Sequence, residues 1–390
     1  DRAKADARAK KSGHTDLSEY RKVIDSAGQT EFTGYSEMQS EGALKAIMLD
    51  GKIVKEAPLH SDVEIILDRT PFYAEGGGQL PDGGKITLSN GAVIEIDDVQ
   101  SPIPGLYVHR GQVVKGLIEI DQKVLSQIDI ERRLAISRAH TATHMVHKAF
   151  REVLGETATQ AGSENSPGRF RFDFPSSGAV PLSVLNEVEA RVNDLLIGNL
   201  SVTAKVMTQP EAKTLGAMAL FGEKYGDQVR VVSVGDWAHE LCGGTHVKNS
   251  GELGLVKLIS ESSIGAGVRR VEALVGTDAY NFLAREHIIL DSLTELIKGA
   301  QIEELPERIS DLLEKLKSAE KQINEFKTAR ALEQAKDLVD KRKSFGGFDA
   351  IVSEFASGIN ADDLRTIALD LRKKIGDGVV ALISKGEDKV

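Results

Sequence analysis

Cysteine is almost absent from this sequence, which has one, Cys242, among 390 residues. A single cysteine excludes an internal disulfide and favours a reducing, cytoplasmic location. No apolar run approaches the ~18 residues that a membrane-spanning helix needs. We therefore expect neither a disulfide-stabilised nor a membrane-bound protein.

Acidic residues outnumber basic ones by 59 to 49, giving a net charge of −10. This balance argues against non-specific adhesion to long nucleic acid, although a local basic groove can still bind a nucleic acid. The chain begins at Asp1 without an initiator Met and ends at Val390 in a strand-like pattern. We expect it to have been excised from a longer protein.

The pattern of apolar runs and glycines predicts an α+β protein of several parts. Residues 1–30, which are polar and rich in Lys and Ala, are predicted to be a linker or tail. Residues 31–125 contain short strand-like runs separated by turn residues, which predict a small β-barrel. The six predicted strands are Ala43–Leu49, Val63–Leu67, Lys85–Leu88, Val93–Ile96, Leu106–His109 and Leu117–Ile120.

Residues 126–275 are predicted to form an α+β core beside the barrel. Apolar residues recur at helical spacing over Leu134–Leu154 and predict a helix there. A second helix is predicted over Leu182–Leu196, just after Pro181. Strands are predicted at Val202–Met207, Val229–Val234, Leu255–Ser260 and Val268–Val275.

Residues 276–343 are predicted to be a helical pair, and residues 344–390 the truncated start of an α/β domain. The longer helix carries a heptad seam formed by Leu305, Ile309, Leu312, Leu316, Ala319, Ile323 and Phe326. The shorter helix, Tyr280–Ile297, is predicted to fold back on it as an antiparallel hairpin, with an intermolecular coiled coil as the alternative.

Two short motifs contain the residue types of a metal site. His140 and His144 lie four apart, so both imidazoles share one face of the predicted helix. Alone, this spacing also suits two ordinary histidines. Cys242-Gly-Gly-Thr-His246 adds a thiol and an imidazole from a loop whose glycines permit a tight turn. Three nitrogens and one sulfur form a ligand set suited to Zn²⁺.

Two further histidines compete for a place in this ligand set. His147 follows His140 by seven residues on the same helical face, and His239 precedes Cys242 by three. We predict that His147 packs behind the ligands and that His239 is exposed.

Two glycine-containing motifs resemble nucleotide-binding sequences. The stretch Glu75–Gly84 lacks the Gly-Lys-Ser/Thr of a P-loop and does not open a helix, so triphosphate binding is not expected. It suits either a hairpin connection or a close backbone approach to a ligand. The segment Gly265-Ala-Gly-Val-Arg269 superficially resembles an ATP-binding motif, but no catalytic core surrounds it.

The paired motifs Arg138-Ala-His140-Thr-Ala-Thr-His144 and Glu240-Leu-Cys242-Gly-Gly-Thr-His246 resemble the editing domain of alanyl-tRNA synthetases. The resemblance extends over residues 30–275, and the segments that follow look like the start of that family's C-terminal domain. Three further segments share it: Pro71-Phe-Tyr-Ala-Glu75-Gly-Gly-Gly-Gln79, Arg169-Phe-Arg-Phe-Asp173 and Gly265-Ala-Gly-Val-Arg269-Arg270-Val-Glu272.

The resemblance implies a zinc site and a tRNA substrate. It makes His140, His144, Cys242 and His246 the zinc ligands, and Thr143 and Gln160 editing residues that face the aminoacyl group. It puts the glycine-rich stretch at the edge of the site and makes Gln79 a candidate substrate or tRNA contact. Arg269 and Arg270 become candidate contacts to the tRNA 3′ end, with surface strand charges as the alternative.

The implied reaction is hydrolysis of Ser-tRNA(Ala) and Gly-tRNA(Ala), and no aminoacylation is expected from these residues. A synthetic site sized for alanine cannot strongly reject serine or glycine. A polar second site binds serine's hydroxyl and spares alanine; rejection of glycine has no such explanation. The alternatives are a free-standing alanyl-tRNA editing protein and a non-catalytic, zinc-stabilised module for tRNA binding or dimerisation. A homodimer through the C-terminal region stays open.

Overall fold

The computed structural model describes residues 17–219, 226–297, 299–355, 359 and 361–384. The chain divides into two compact units, Asp1–Arg285 and Glu286–Val390. Helices and strands are mixed in both, which confirms the predicted α+β class. None of the helices within the described ranges has the length and apolarity needed to cross a membrane.

The described helices and strands are numbered in chain order. The helices are α1 (Leu17–Ala27), α2 (Ile130–Leu154), α3 (Leu182–Ile197), α4 (Gln209–Thr214), α5 (Thr277–Leu296), α6 (Leu305–Leu338) and α7 (Ala361–Ile375). The strands of the first unit are β1 (Glu31–Phe32), β2 (Gln39–Leu49), β3 (Lys52–Val54), β4 (Glu56–Ala57), β5 (Asp62–Leu67), β6 (Arg69–Thr70), β7 (Gly84–Leu88), β8 (Val93–Gln100), β9 (Val108–Lys115), β10 (Ile118–Glu119), β11 (Lys123–Ile128), β12 (Gly162–Ser166), β13 (Arg169–Pro175), β14 (Val202–Thr208), β15 (Gln228–Val234), β16 (Ala238–Leu241), β17 (Val256–Gly265) and β18 (Val268–Val275). The strands of the second unit are β19 (Lys343–Phe345), β20 (Phe348–Phe355) and β21 (Gly378–Ser384).

Six antiparallel strands close into a barrel in the order β2-β5-β9-β8-β7-β11, and β11 pairs back to β2. Successive side chains of a strand point to opposite faces, so alternate apolar residues fill the interior. Ile65, Ile86 and Ile94 are among these buried residues.

The sixth strand of the barrel is not the one that the sequence predicts. Leu117–Ile120 contributes only β10, which pairs with β4 instead of joining the barrel. Strand β11 closes the barrel in its place and buries Val124, Ser126 and Ile128. Its polar Ser126 interrupts the apolar pattern on the inward face, and so the sequence does not reveal this strand.

Part of the predicted linker is a helix. Helix α1 buries Tyr20 and Val23, and the Tyr20 hydroxyl donates a 2.8 Å hydrogen bond to Glu64 Oε2 on β5. Ile24 and Ala27 of the same helix are partly buried beside these two residues, so one apolar face fixes this short helix. Residues 1–16 of the predicted linker lie outside the described residues.

A second layer of the first unit packs α2 and α3 against the sheet β12-β13-β18-β17. Phe170, Phe172 and Phe174 alternate along β13, and all three are buried. The Phe150 ring of α2 lies 4.8 Å from that of Phe174, measured between centroids. A separate sheet, β14-β15-β16, leads into the turn after Leu241.

The second unit contains a three-stranded sheet, β19-β20-β21, with α7 packed against it. Strand β20, helix α7 and the parallel strand β21 follow one another within the segment that the sequence predicts to start an α/β domain. Along the predicted heptad seam Leu305 is buried, whereas Leu312 and Phe326 are exposed. The antiparallel pairing of the two long helices stays a prediction.

Candidate metal centre

Helix α2 presents two histidines to the site. It begins after Asp129, whose side chain accepts a 3.0 Å hydrogen bond from the Arg132 backbone N–H, and it ends at Gly155 with a φ of 92°. Both caps satisfy backbone groups that a helix terminus leaves unpaired. His140 and His144 lie one turn apart on the helix, with ring centroids separated by 5.0 Å.

The turn after β16 supplies the other two candidate ligands, Cys242 and His246. Their Sγ and Nε2 atoms lie 3.3 Å apart. Gly244 lies between them, directly against the imidazole of His140, so that a Cβ at this position would overlap the ring. Glycine is therefore required by close packing between the turn and α2.

The four side chains converge on one point. Their candidate ligand atoms all lie within 4.8 Å of one another, and they form the cluster His140, His144, Cys242 and His246. The Cys242 Sγ lies 3.4 Å from His140 Nε2, which places one atom of the turn next to the helical pair. Residues that lie a hundred positions apart in sequence thus form a single site.

The outward-facing nitrogen of each histidine lies within 3.0 Å of a polar side-chain atom. His140 Nδ1 lies 2.9 Å from Gln79 Oε1, and His246 Nδ1 lies 3.0 Å from Thr141 Oγ1. His144 Nδ1 is within ion-pair distance of Glu240, at 2.6 Å from Oε2. Such partners fix ring orientation in metal sites and leave Nε2 for the ion.

Among the inward-facing atoms, His140 Nε2 and His246 Nε2 contact Cys242 Sγ, whereas His144 Nε2 does not. His144 Nε2 is buried and has no hydrogen-bond partner among the described residues. A buried polar atom without a partner is costly, and a bound cation would remove that cost. Three imidazole nitrogens and a thiolate are the donor set that zinc prefers, so these residues fit a zinc ion.

The electrostatics of the cluster favour a thiolate. Burial raises the pKa of the Cys242 thiol, but the neighbouring His140, His144 and His246 lower it by more. The pKa of Cys242 therefore lies well below its ordinary value. Burial likewise opposes ionisation of Glu240, yet the adjacent His144 brings the pKa of this carboxyl down. Thiolate and carboxylate together supply the negative charge that a divalent cation requires.

A cavity of about 310 Å³ opens on this cluster. It is lined by Tyr73, Gly76, Gly77, His140, His144, Gln160, Gln228, Val229, Arg230, Leu241, Cys242 and Gly243. The cavity brings the predicted editing residue Gln160 together with three of the four candidate ligands. Gln160 also donates a 2.9 Å hydrogen bond to Ser163 Oγ, which holds its side chain at the wall.

Thr143 and Gln79 lie behind this wall instead of lining the cavity. The Thr143 hydroxyl is buried and lies 2.6 Å from Asn165 Oδ1. Gln79 is fully buried, and its Nε2 donates a 2.9 Å hydrogen bond to Thr245 Oγ1. In this structure the Gln79 amide orients His140 and the turn, and the role of Gln79 as a substrate or tRNA contact stays a prediction.

The two arginines predicted to contact tRNA are each paired with a carboxylate on a neighbouring strand. Arg269 Nε and Nη2 both contact the carboxylate of Glu261. Arg270 binds Asp173 through two hydrogen bonds of 2.7 and 2.8 Å. Neither guanidinium is free in this structure, and strand partners account for both.

The two competing histidines lie outside the cluster. His147 is buried behind it, with Nδ1 3.3 Å from Glu240 Oε2, and His239 is half-buried with Nδ1 2.8 Å from Ser233 Oγ. Glu240 was not singled out from the sequence. Its place at the start of the motif Glu240-Leu-Cys242, two residues before a candidate ligand, is the signal that was available.

Family models match two parts of the chain. Residues 1–132 match "tRNA synthetases class II (A)", and residues 229–272 match "Threonyl and Alanyl tRNA synthetase second additional domain". The second match includes β15, β16 and the turn with Cys242 and His246. These matches put the chain in the class of aminoacyl-tRNA synthetases.

Curated relatives identify the family within that class. An alanine–tRNA ligase of Nocardioides sp. is 56% identical over 100% of the chain and 44% of its own length. Those of Acidothermus cellulolyticus and Streptomyces avermitilis are 54% and 53% identical over 98% of the chain, and 43% of their own lengths. The chain belongs to the alanine–tRNA ligase family and spans a little under half the length of these relatives.

Proposed function

We propose that this chain is a zinc-dependent editing hydrolase that removes serine and glycine from mischarged tRNA(Ala). The observation that carries the proposal is the cluster of three histidine Nε2 atoms and the Cys242 sulfur at the wall of a cavity. The match to the additional domain of threonyl and alanyl synthetases supports a tRNA ester as the substrate.

The proposed reaction breaks the ester bond between the amino acid and the terminal ribose. Water adds to the ester carbonyl carbon, an oxyanion forms, and the ribose oxygen leaves with a proton. When bound, zinc supplies Lewis-acid polarisation and lowers the pKa of a coordinated water. The protein's own side chains hold that chemistry in place, because the outer nitrogens of His140 and His246 are fixed by Gln79 and Thr141.

Gln160 is the proposed selector for serine. Its amide lies at the cavity wall, where a hydroxyl of the substrate would find both a donor and an acceptor. Alanine has no hydroxyl for the Gln160 amide oxygen and its remaining N–H, and these unpaired groups disfavour the binding of alanine. Thr143 is proposed to act on the same wall through Asn165, since its hydroxyl is already engaged there.

The tRNA acceptor end is the proposed partner of this surface. Arg269 and Arg270 would reach a phosphate only by exchanging their carboxylate partners for it. The single cysteine must stay reduced to act as a thiolate, which fits the reducing compartment that the sequence favours.

A second candidate function follows from the number of ligands. Four protein ligands form the closed sphere that is typical of structural zinc, whereas catalytic zinc keeps a position open. On this alternative the ion stabilises a non-catalytic tRNA-binding module. The cavity that opens on the cluster favours the hydrolase.

The test is hydrolysis of Ser-tRNA(Ala) and Ala-tRNA(Ala) by the wild type and by Cys242→Ala, with zinc content measured in parallel. The proposal predicts rapid loss of serine, retention of alanine, and no serine hydrolysis by the variant. A zinc-loaded wild type that hydrolyses neither ester would leave the non-catalytic module. Gly-tRNA(Ala) measured in the same series tests the second substrate.

A further inference from the structure

Arg230 on β15 reaches across to the turn that carries two of the candidate ligands. One terminal nitrogen, Nη1, donates hydrogen bonds of 2.7 Å to the Cys242 carbonyl and 2.9 Å to the Gly244 carbonyl. The guanidinium also lies over the Tyr35 ring, 4.1 Å from its centroid. The Tyr35 hydroxyl donates a 2.7 Å hydrogen bond to the Gly243 carbonyl, which lies between the Cys242 and Gly244 carbonyls in the turn.

These contacts use only part of the guanidinium. An arginine has five N–H donors, and Nη1 accounts for two of them. Nε and Nη2 have no hydrogen-bond acceptor in the part of the chain that the structure describes, and no carboxylate there lies within 4.0 Å of Arg230. Nε and Nη2 are also not buried, so solvent reaches both atoms.

Arg230 differs in its charge environment from three other arginines of the chain. Arg133, Arg269 and Arg270 are each paired with a carboxylate, whereas Arg230 keeps its positive charge uncompensated by an ion pair among the described residues. It also lines the cavity, together with His140 and Cys242. An unpaired cation at a cavity wall is suited to an anionic ligand.

We propose that Arg230 is the anion-binding residue of this cavity and contacts an anionic oxygen of the aminoacyl ester substrate. That oxygen belongs either to the phosphodiester next to the terminal ribose or to the oxyanion that forms on the ester carbonyl. This inference rests on the proposed function. The two bonds to the turn and the stacking on Tyr35 fix the plane of the guanidinium, so little rotamer freedom is lost when it binds.

The chemistry of guanidinium suits both oxygens. Arginine binds phosphate through paired, charge-assisted hydrogen bonds, which are stronger than neutral ones. A donor fixed before the reaction also stabilises an oxyanion without reorganisation, and the loss of one such donor costs about 100- to 1000-fold in kcat. A contact with the phosphate forms when the substrate binds, whereas a contact with the oxyanion forms only during the reaction. Binding and kinetic measurements therefore distinguish the two.

The binding test uses a non-hydrolysable analogue of the substrate end, 3′-serylamino-3′-deoxyadenosine, with and without a 5′-phosphate. Dissociation constants are measured for the zinc-loaded wild type, Arg230→Gln and Tyr35→Phe. If Arg230 binds the phosphate, the wild type prefers the phosphorylated analogue by about 10-fold or more. Arg230→Gln loses this preference, whereas Tyr35→Phe keeps it because the charge and the ring remain.

The kinetic test separates the oxyanion from the phosphate. If Arg230 stabilises the oxyanion, both analogues bind Arg230→Gln as they bind the wild type, while kcat for Ser-tRNA(Ala) falls about 100-fold with KM unchanged. Rates are normalised to bound zinc, because Arg230 also braces the turn. If Arg230→Gln loses its zinc, Arg230→Lys replaces it, because lysine keeps the charge but lacks the planar fork of guanidinium donors.

Arg230 substitutions that change neither the phosphate preference nor the zinc-normalised kcat would overturn the inference. That result would assign Arg230 to positioning of the turn alone, and Tyr35→Phe should then lower zinc retention as Arg230→Gln does. A wild type that prefers the phosphorylated analogue but hydrolyses no ester would sink the proposed function and leave the anion site in place. The two claims can therefore fail separately.

Discussion

Gln79 Oε1 lies 2.9 Å from His140 Nδ1 and also accepts a 2.8 Å hydrogen bond from the Thr245 backbone N–H. One buried amide thus joins the glycine-rich stretch, helix α2 and the turn after β16. A proton on His140 Nδ1 suits this arrangement, because the remaining lone pair is then on Nε2, which faces Cys242. The barrel therefore contributes directly to the geometry of the site.

Removal of this amide should weaken metal binding without removing a ligand. Gln79→Ala leaves His140 free to rotate, and loss of such a partner lowers metal affinity by about 10- to 100-fold. Competition with a chelator measures the zinc affinity of the variant. The control is Gln127→Ala, since Gln127 lies half-buried on β11 and its side chain makes one hydrogen bond within the described residues, to Gln39. Equal zinc affinity in Gln79→Ala and the wild type would contradict the orienting role.

The two glycines of the turn should respond very differently to substitution. A Cβ on Gly244 would overlap the His140 ring, whereas a Cβ on Gly243 would meet nothing within 4 Å. Gly244→Ala is therefore expected to abolish or strongly weaken zinc binding, and Gly243→Ala to retain it. Zinc content of the two purified variants, with circular dichroism as a check on folding, measures the contrast. Similar zinc content in both would show that the turn is not packed as described.

Barrel stability should depend on pH through His109. Its ring is buried between Thr70 Oγ1 at 2.7 Å and the Ile65 carbonyl at 3.2 Å. Burial lowers the pKa of His109 to about 4, although the bond to Ile65 opposes this shift. The unfolded chain, with a pKa near ~6.5, binds the proton first as pH falls, so stability is full above that value and declines towards pH 4.

The size of this effect is about 3 kcal/mol, since each pKa unit corresponds to ~1.4 kcal/mol. Urea unfolding followed by Trp237 fluorescence between pH 7 and about pH 4 measures it. His109→Gln should lose less stability over this range than the wild type, by about that amount. Parallel curves for the two proteins would show that His109 is not the group responsible.

The ion pair between Arg133 and Asp82 should be important for stability. Both side chains are almost fully buried, and Arg133 also donates to the Gly34 and Pro71 carbonyls at 2.7 and 2.8 Å. Asp82→Ala would leave a buried guanidinium without its carboxylate, which costs about 3–5 kcal/mol of the free energy of unfolding. Denaturant unfolding measures this loss.

The matched control is Asp98→Ala in the more exposed pair with Arg110. Arg110 keeps Glu64 as a second partner at 2.9 Å and is partly solvent-exposed, so the control should cost less than Asp82→Ala. A smaller loss for Asp82→Ala than for Asp98→Ala would contradict the account of Arg133 as the residue that joins α2 to the barrel.

The sequence predicted the elements with the clearest periodicity and the residues with the most distinctive chemistry. Helix α2 and strand β18 follow from their apolar patterns, and His140 and Cys242 stand out because their residue types are rare in the chain. Strand β11 was missed because buried Ser126 interrupts its apolar face. Long-range pairing in the barrel overrides this weak local signal.

Residues that act through others were the hardest to predict. Gln79 and Glu240 orient His140 and His144, but an amide and a carboxylate have many uses, and only the fold brings them to the histidines. Arg230 likewise lies in an ordinary strand pattern. Its bonds to Cys242 and Gly244 depend on how β15 and the turn pair. Such contacts are set by tertiary geometry, which spacing along the chain does not encode.

The central claim is that four side chains of one chain hold a single metal ion. Zinc stoichiometry should be measured for the wild type, for alanine variants of the four candidate ligands, and for His147→Ala and His239→Ala. We predict one zinc per chain in the wild type and in both controls, and loss of tightly bound zinc in His140→Ala, His144→Ala, Cys242→Ala and His246→Ala. A wild type without bound zinc, or a control that loses zinc as completely as the four ligand variants, would contradict the account.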